Sequence, residues 1–368
     1  MDISDFEIVR PLGHGSYSDV YLAEFVPDEA FPALAGTEGE PQLFALKIVD
    51  KHLAIKHDIV DQVYLERRLH EVLNEEPCVA RLSFTFKDEA NLYFGLEPCL
   101  HGELYDAIEE GLELPEIVFY AAQIVVMLDA LRRHKVVHRD LKPENILLGT
   151  NGHLKLVDLG SALWLADDEK DGQQKIEKKK ATLVGTADYV APEVLEHKDG
   201  AGTGYGVDLW AFGVILFQMI VGESPFRGAS EYLTFQNVLK NTPDLSRIVR
   251  EGFRGGDDRD QGKQGLPCDL DETYAFAQDL VSQLLRSDPE NRLGIASVEE
   301  LRCHTLFRDI DWSTMYDQTQ PTGYYLRKKL GEGKGDSSGA ADGEGIDAWE
   351  LKSLQSLARA MRGHSLGH

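Results

Sequence analysis

His138-Arg139-Asp140-Leu141-Lys142-Pro143-Glu144-Asn145 is the stretch that decides how this chain reads. Val136-Val137 precede it and Ile146-Leu147-Leu148 follow it, and a turn at residues 149–152 leads into Leu154-Lys155-Leu156-Val157-Asp158. The polar groups suit phosphoryl transfer. Asp140 can accept a proton from a substrate hydroxyl, and Lys142 can neutralise a moving phosphoryl group. Asn145 and Asp158 offer hard oxygens to magnesium. A lone His-Arg-Asp tripeptide would be weak evidence. The full run, with an Asp thirteen residues beyond Asn145, is a far more specific coincidence of parts. The competing reading is an ordinary solvated turn.

The chain of 368 residues has room for a sizeable core or two lobes. At 42% hydrophobic and 27% charged, its composition is ordinary for a soluble globular protein. A formal net charge of -25 argues against nucleic acid as the main partner. It also argues against unaided adsorption to an anionic membrane; the plainer use of such acidity is solubility. Cys78, Cys99, Cys268 and Cys303 form no CxxC pair, so no zinc site is expected. The N-terminal MDISDFEIVR lacks a basic region followed by an apolar run, so no secretory signal is expected. Reduced thiols and a cytoplasmic location are the expectation. The most apolar window, residues 207–221, is short for a membrane span and carries Asp208 and Gln218, so it predicts a buried helix and no transmembrane segment.

Along the chain, Phe6 to Arg10 predicts a strand, and Gly13 and Gly15 permit a tight hairpin that brings backbone N–H groups against phosphates. Residues 25–42 predict a surface insertion. The strand Leu43 to Val49 carries one inward lysine, Lys47. Residues 58–74 predict a helix with Ile59, Val63, Glu66, Leu69 and Leu73 in phase. Glu66 thus falls on the apolar face and needs a cation, for which Lys47 is the partner; Glu71 and Glu75 fall off the stripe. Two strands follow, at 80–86 and 91–96, then a long helix at 115–133. Residues 166–181 are charged, and Asp208 at the head of the buried helix reads as a loop clamp. Residues 241–268 predict another insertion, 271–285 a helix, 331–345 a flexible linker and 349–361 a short amphipathic helix ordered by a partner. Globular patterning ends near Phe307, and no internal repeat is visible.

Taken together, residues 6–307 resemble a eukaryotic-type protein kinase domain of the AGC group. Within that group they are most similar to the kinases that activate other AGC kinases. The stretches carrying the likeness include residues 83–86, 92–96, His101-Gly102-Glu103-Leu104, 184–190 and, above all, 225–236. The resemblance implies an α+β, bilobal protein-kinase-like fold. Its parts would be a β-rich small lobe at about 6–96, a hinge at 97–103, an α-helical large lobe at 104–307 and a tail at 308–368. It implies ATP and magnesium as cofactors, and a serine/threonine specificity for which Lys142 with Thr186 is suited.

The implied nucleotide contacts begin in the glycine-rich hairpin with Leu12, Gly13, Gly15, Ser16, Tyr17, Ser18 and Val20, where Ser18 stands in for the family's third glycine. Ala45 would meet the base, and Lys47, held by Glu66, the phosphates. Adenine would be read by the Glu97 carbonyl and by the N–H and carbonyl of Cys99; Pro98 lacks an N–H that this scheme does not need. Glu103 would bond the ribose, with Glu144, Asn145 and Asp158 completing the set. Asp158-Leu159-Gly160 has Leu where most members have Phe, which keeps the metal-binding Asp but alters the element that switches active and inactive states. Thr182 is the implied regulatory phosphosite, its phosphate held by Arg139. Glu193 would pair with Arg292 in a structural role.

A docking pocket for a phenylalanine-rich, phosphorylated motif of substrate kinases is also implied. Lys51, Ile55, Val60, Val63 and Leu92 would line its apolar part, and Arg67, Thr85 and Lys87 would receive the phosphate. The competing reading is that Ile55, Val60 and Val63 simply pack helix on sheet. Glu7 stands where a cation would help the phosphate. The roughly sixty residues after the kinase region are too few for the pleckstrin-homology domain many relatives carry, so direct phosphoinositide binding is not expected. Two other functions compete: an AGC or calmodulin-kinase-like enzyme with other substrates, and a pseudokinase scaffold. The intact Lys47, Asp140, Asn145 and Asp158 argue against the scaffold.

Overall fold

The computed structural model describes residues 1–15, 17–26, 42–149, 151–165, 186–196, 204–248 and 268–316, with the side chains of 268–271 left aside. The expectations for Ser16, for the charged segment with Thr182, for most of both insertions, for the linker and for the helix at 349–361 lie outside the described residues. The described chain forms two compact units. The first holds Met1–Asn74 and Ala80–Cys99, and the second holds Glu75–Val79 and residues 100–316.

The first unit is an antiparallel sheet in the order β1-β2-β3-β5-β4: β1 (Phe6–His14), β2 (Ser18–Phe25), β3 (Gln42–Asp50), β4 (Leu82–Lys87) and β5 (Asn91–Leu96). Alternation along the strands gives the sheet two apolar faces. One is an aromatic layer of Phe6, Phe25, Phe44 and Tyr93 with Phe84 and Phe86 packed on it. Gly95 lies under this layer; a Cβ there would stand 2.2 Å from the Phe84 ring, so only glycine fits. The other face carries Ala45, Val49, Phe94 and Leu96 and packs against Val63.

Two helices follow β3. Helix α1 (Lys51–Lys56) is capped by Asp50, whose Oδ1 accepts the Leu53 N–H at 2.8 Å. Helix α2 (Val60–Val72) buries Val63, Glu66 and Leu69. The single helix expected at 58–74 is therefore shorter and preceded by a second one. Asp58, in the left-handed region at φ 55°, breaks the two apart. Strand β4 starts at Leu82, not at residue 80, because Asn74 Oδ1 takes the Leu82 N–H at 2.8 Å and fixes the entry to the strand. Strand β1 runs on to His14, with register shifts at Ile8/Arg10 and Pro11/Gly13 that absorb the proline.

The second unit is helical. After α3 (Leu104–Glu110) comes α4 (Leu114–Arg133). Among the described residues α4 is the one helix long and apolar enough to cross a membrane, and most of it is buried in this unit's core. Short strands β6 (Val136–Val137), β7 (Ile146–Leu148), β8 (Leu154–Leu156) and β9 (Leu163–Trp164) pair as β6-β9 and β7-β8. Then come α5 (Pro192–Leu195), α6 (Gly206–Val221), α7 (Glu231–Lys240), α8 (Cys268–Leu284) and α9 (Glu299–Arg302). Every residue of α6 is buried, as its composition predicts. Gly213 lets α6 approach α8 closely, since a Cβ would come within 2.9 Å of Leu284.

Three boundaries differ from expectation. The segment expected as an insertion from 241 stays packed to residue 248, where Ile248 is fully buried and Arg247 meets Glu223 at 2.6 Å. Helix α8 starts at Cys268 instead of 271. Packing continues beyond Phe307: Trp312 lies 5.5 Å from the Phe307 ring, and Tyr316 lies 5.1 Å from His153.

Candidate phosphoryl-transfer site

In the first unit, β3 places Lys47 opposite Val20 of β2 and Phe94 of β5. Its Nζ is 2.5 Å from Oε1 of Glu66, which α2 buries. A carboxylate so enclosed is stable only with its cation, and the cation is held at a fixed point on the sheet. The adjoining hairpin closes tightly: the Gly15 N–H donates to the Ser18 carbonyl at 2.7 Å, and His14 Nδ1 meets Asp19 at 2.8 Å. The Tyr17 ring stands 5.0 Å from His57. Leu12, Val20 and Ala45 share the apolar face that carries Val49. At the end of β5, Glu97 exchanges backbone and side-chain bonds with Arg81, and the buried Cys99 thiol lies 4.0 Å from the Glu97 carbonyl.

In the second unit the loop between β6 and β7 gathers the rest. Lys142 Nζ lies 3.1 Å from Asp140 Oδ2 and donates to Thr186 Oγ1 at 3.0 Å. Asn145 Nδ2 donates to the Asp140 carbonyl at 2.8 Å and to its Oδ2 at 3.2 Å. Asp140 Oδ1 is buried with no hydrogen-bond partner among the described residues. His138 Nε2 meets the Asp158 carbonyl at 2.6 Å, while Asp158 Oδ1 accepts the Gly160 N–H at 3.0 Å. Leu159 is buried.

Asp208 of α6 accepts the backbone N–H of His138 at 2.7 Å and of Arg139 at 2.8 Å, the clamp the sequence suggests. Burial pushes its carboxyl above the usual range against the pull of His138 and Arg139. Burial likewise pushes Glu144 up, and its Oε2 has no hydrogen-bond partner among the described residues. Burial, with Asp106 and Glu144 adding to it, raises Glu103. Glu193 grips Arg292 through two bonds of 2.7 Å, and Arg292 lies 5.1 Å from the Trp210 ring.

The residues expected at the docking pocket divide. Ile55 is 71% exposed on α1, and Val60 is exposed at the start of α2. Val63 turns into the core, and Leu92 packs against that same core. Lys51 Nζ donates to the Asp88 carbonyl. Arg67 Nε lies 3.6 Å from Glu71, and Thr85 and Lys87 stand exposed on β4. Tyr64 is also exposed, one turn beyond Val60.

The geometry is that of a phosphotransferase, and comparison with known proteins agrees. Residues 6–307 match the protein kinase domain family, and the chain belongs to that family. It is 36% identical over 323 residues to 3-phosphoinositide-dependent protein kinase 1 of Arabidopsis thaliana, covering 86% of this chain and 58% of that protein. It is 34% identical over 322 residues to the protein of the same name from Homo sapiens, covering 86% of this chain and 50% of the other. Against 3-phosphoinositide-dependent protein kinase B of Dictyostelium discoideum it is 35% identical over 322 residues, 86% of this chain and 30% of the relative. The chain therefore spans less than two thirds of the length of these relatives.

Proposed function

We propose that this chain is an ATP- and magnesium-dependent serine/threonine protein kinase that phosphorylates the activation segments of other AGC kinases. The observation that carries the reading is the position of Lys142 Nζ, 3.1 Å from Asp140 and 3.0 Å from Thr186. It sets a cation beside a carboxylate where a phosphoryl group would move toward a hydroxyl. Asp140 orients that hydroxyl, and its Oδ1, buried and unbonded, takes the proton. Lys142 offsets the charge on the transferring group, and Lys47, fixed by Glu66, holds the nucleotide phosphates. The hairpin backbone at Gly13 and Gly15 cradles those phosphates.

The donor set fits magnesium. Asp158 supplies a carboxylate, and Asn145, its amide nitrogen committed to Asp140, presents its oxygen. A magnesium held by one or two protein oxygens and the substrate phosphates needs no larger cluster of protein ligands. Bound there, magnesium would neutralise charge on the phosphates.

Ile55 and Val60, with Arg67, Thr85 and Lys87, would form the surface that receives a phenylalanine-rich phosphorylated motif of the substrate. Thr182 would be the chain's own regulatory phosphosite. Protein partners in the cytoplasm, and not nucleic acid, suit the net charge of -25.

The test compares two peptides with magnesium-ATP: an AGC activation-segment sequence alone, and the same sequence extended by a phenylalanine-rich motif. Faster turnover of the second, removed by Arg67→Ala, supports the whole reading. Equal turnover leaves the kinase and discards the docking surface. Turnover of neither, at threonine or serine, discards the enzyme.

A further inference from the structure

The hairpin that joins β1 to β2 is held by residues that do not face the apolar side of the sheet. His14 and Asp19 stand directly opposite each other in the β1–β2 register, and His14 Nδ1 meets Asp19 Oδ1 at 2.8 Å. Side chains alternate along a strand, so Asp19 leaves β2 on the face opposite to Val20. Val20 and Leu12 pack on the face that carries Ala45, whereas Tyr21, two places after Asp19, belongs to the aromatic layer. Directly opposed residues share a face. The His14–Asp19 pair therefore closes the hairpin on the side turned away from Leu12 and Val20.

The second hold is at the tip, and both ends of α1 supply it. The Asp50 N–H at the head of α1 donates to the Tyr17 carbonyl at 3.4 Å. The ring of His57, the residue that ends α1, stands 5.0 Å from the Tyr17 ring with the planes at 52°. Both supports are themselves fixed. Asp50 accepts the Leu53 N–H, and the His57 N–H donates to the Leu53 carbonyl at 3.0 Å. A hairpin containing Gly13 and Gly15 is costly to order, because glycine loses the most conformational freedom of any residue. A ligand that had to order it would lose that free energy from its own affinity, and a hairpin ordered beforehand spares it. The saving falls on the phosphates, which the hairpin backbone would meet, and not on the base beside Leu12, Val20 and Ala45.

We propose that His14, Asp19 and His57 are positioning residues that hold the hairpin in its phosphate-binding shape before the nucleotide arrives, His14 and Asp19 across its outer face and His57 through Tyr17. The proposal rests on the kinase reading above and adds which residues of this chain set its affinity for the triphosphate as distinct from the nucleoside.

The experiment measures binding of magnesium-ATP and of adenosine to the full chain by calorimetric titration. His14→Ala and His57→Ala should each weaken ATP binding about threefold, the scale of one cross-strand or ring contact. The double variant should weaken it about tenfold, since the two contacts share no partner, while adenosine affinity stays within about twofold. His14→Asn combined with His57→Phe, which returns a nitrogen to Asp19 and a ring to Tyr17, should recover most of the loss. Equal loss for ATP and adenosine would mean that the contacts support the sheet as a whole, and it overturns the proposal, as does unchanged ATP affinity in the double variant. An unsubstituted chain that binds neither ligand overturns the nucleotide reading and this inference with it. The expected ATP shifts in a chain that transfers no phosphate overturn the kinase reading alone and leave the positioning role standing.

Discussion

Asp208 holds Arg139: one carboxylate oxygen accepts the Arg139 backbone N–H at 2.8 Å, while the other takes His138 at 2.7 Å. Arg139 is in the left-handed region at φ 66°, a conformation a non-glycine residue keeps only when neighbours enforce it. Asp140 and Lys142 follow directly, so the clamp sets their aim. Asp208→Ala should lower kcat by about 100-fold, the scale of a misplacement of about 1 Å, with little change in KM for ATP. Steady-state kinetics decide it; a kcat within a few-fold of the parent would mean that the loop keeps its shape without the clamp.

Glu193 and Arg292 are a buried pair joined by two hydrogen bonds. Removing one partner leaves the other charged and enclosed, which costs about 3–5 kcal/mol. Glu193→Ala should show this as a lower midpoint in urea. Joint replacement of both by apolar residues of like volume should recover much of the loss, and failure to recover any would point to the Arg292 bonds with Gly206 and Ser287 instead.

Stability should fall in acid partly through Glu76. Burial alone would raise its carboxyl, but the bonds from Arg133 and His134 outweigh it and hold the group below its ordinary value. A group depressed in the folded state contributes stability above its unfolded value near 4.5 and loses it as pH falls through the lower folded value. Arg133 is half exposed, so the contribution is about 1 kcal/mol. Glu76→Gln should flatten the acid limb of a stability-against-pH curve below that point while shifting the neutral plateau down by a similar amount. An unchanged acid limb would remove Glu76 from the account.

Gly95→Ala should be costly. Its Cβ would enter the Phe84 ring, and overpacking of this kind costs about 1–3 kcal/mol. A melting temperature equal to the parent would show that the Phe84 ring moves aside freely.

The polar chemistry was legible because it is local in sequence. Residues 138–145 and Asp158 carry their spacing in the chain, and the phase of Glu66 on its helix pointed to Lys47. The Glu193–Arg292 pair spans 99 residues and was reached through the family resemblance, not through local pattern. What escaped was set by tertiary contacts. A separate short helix at Lys51–Lys56, ended by Asp58 at φ 55°, precedes the expected one and is too short to leave a periodic trace. Val63 has the same apolar character whether it lines a pocket or packs the core, and only the folded sheet decides for the core. The packing of Trp312 and Tyr316 depends on partners, Phe307 and His153, that the local sequence does not announce.

The most direct test of the central claim is phosphate transfer from magnesium-ATP to an AGC activation-segment peptide, with Asp140→Asn as the control. The account predicts phosphorylation at threonine or serine by the parent chain, and a loss of at least about 100-fold in kcat in the variant with nucleotide binding retained. A variant that keeps most of the parent's turnover would contradict the role of Asp140. A parent that binds ATP and transfers nothing would contradict the enzyme.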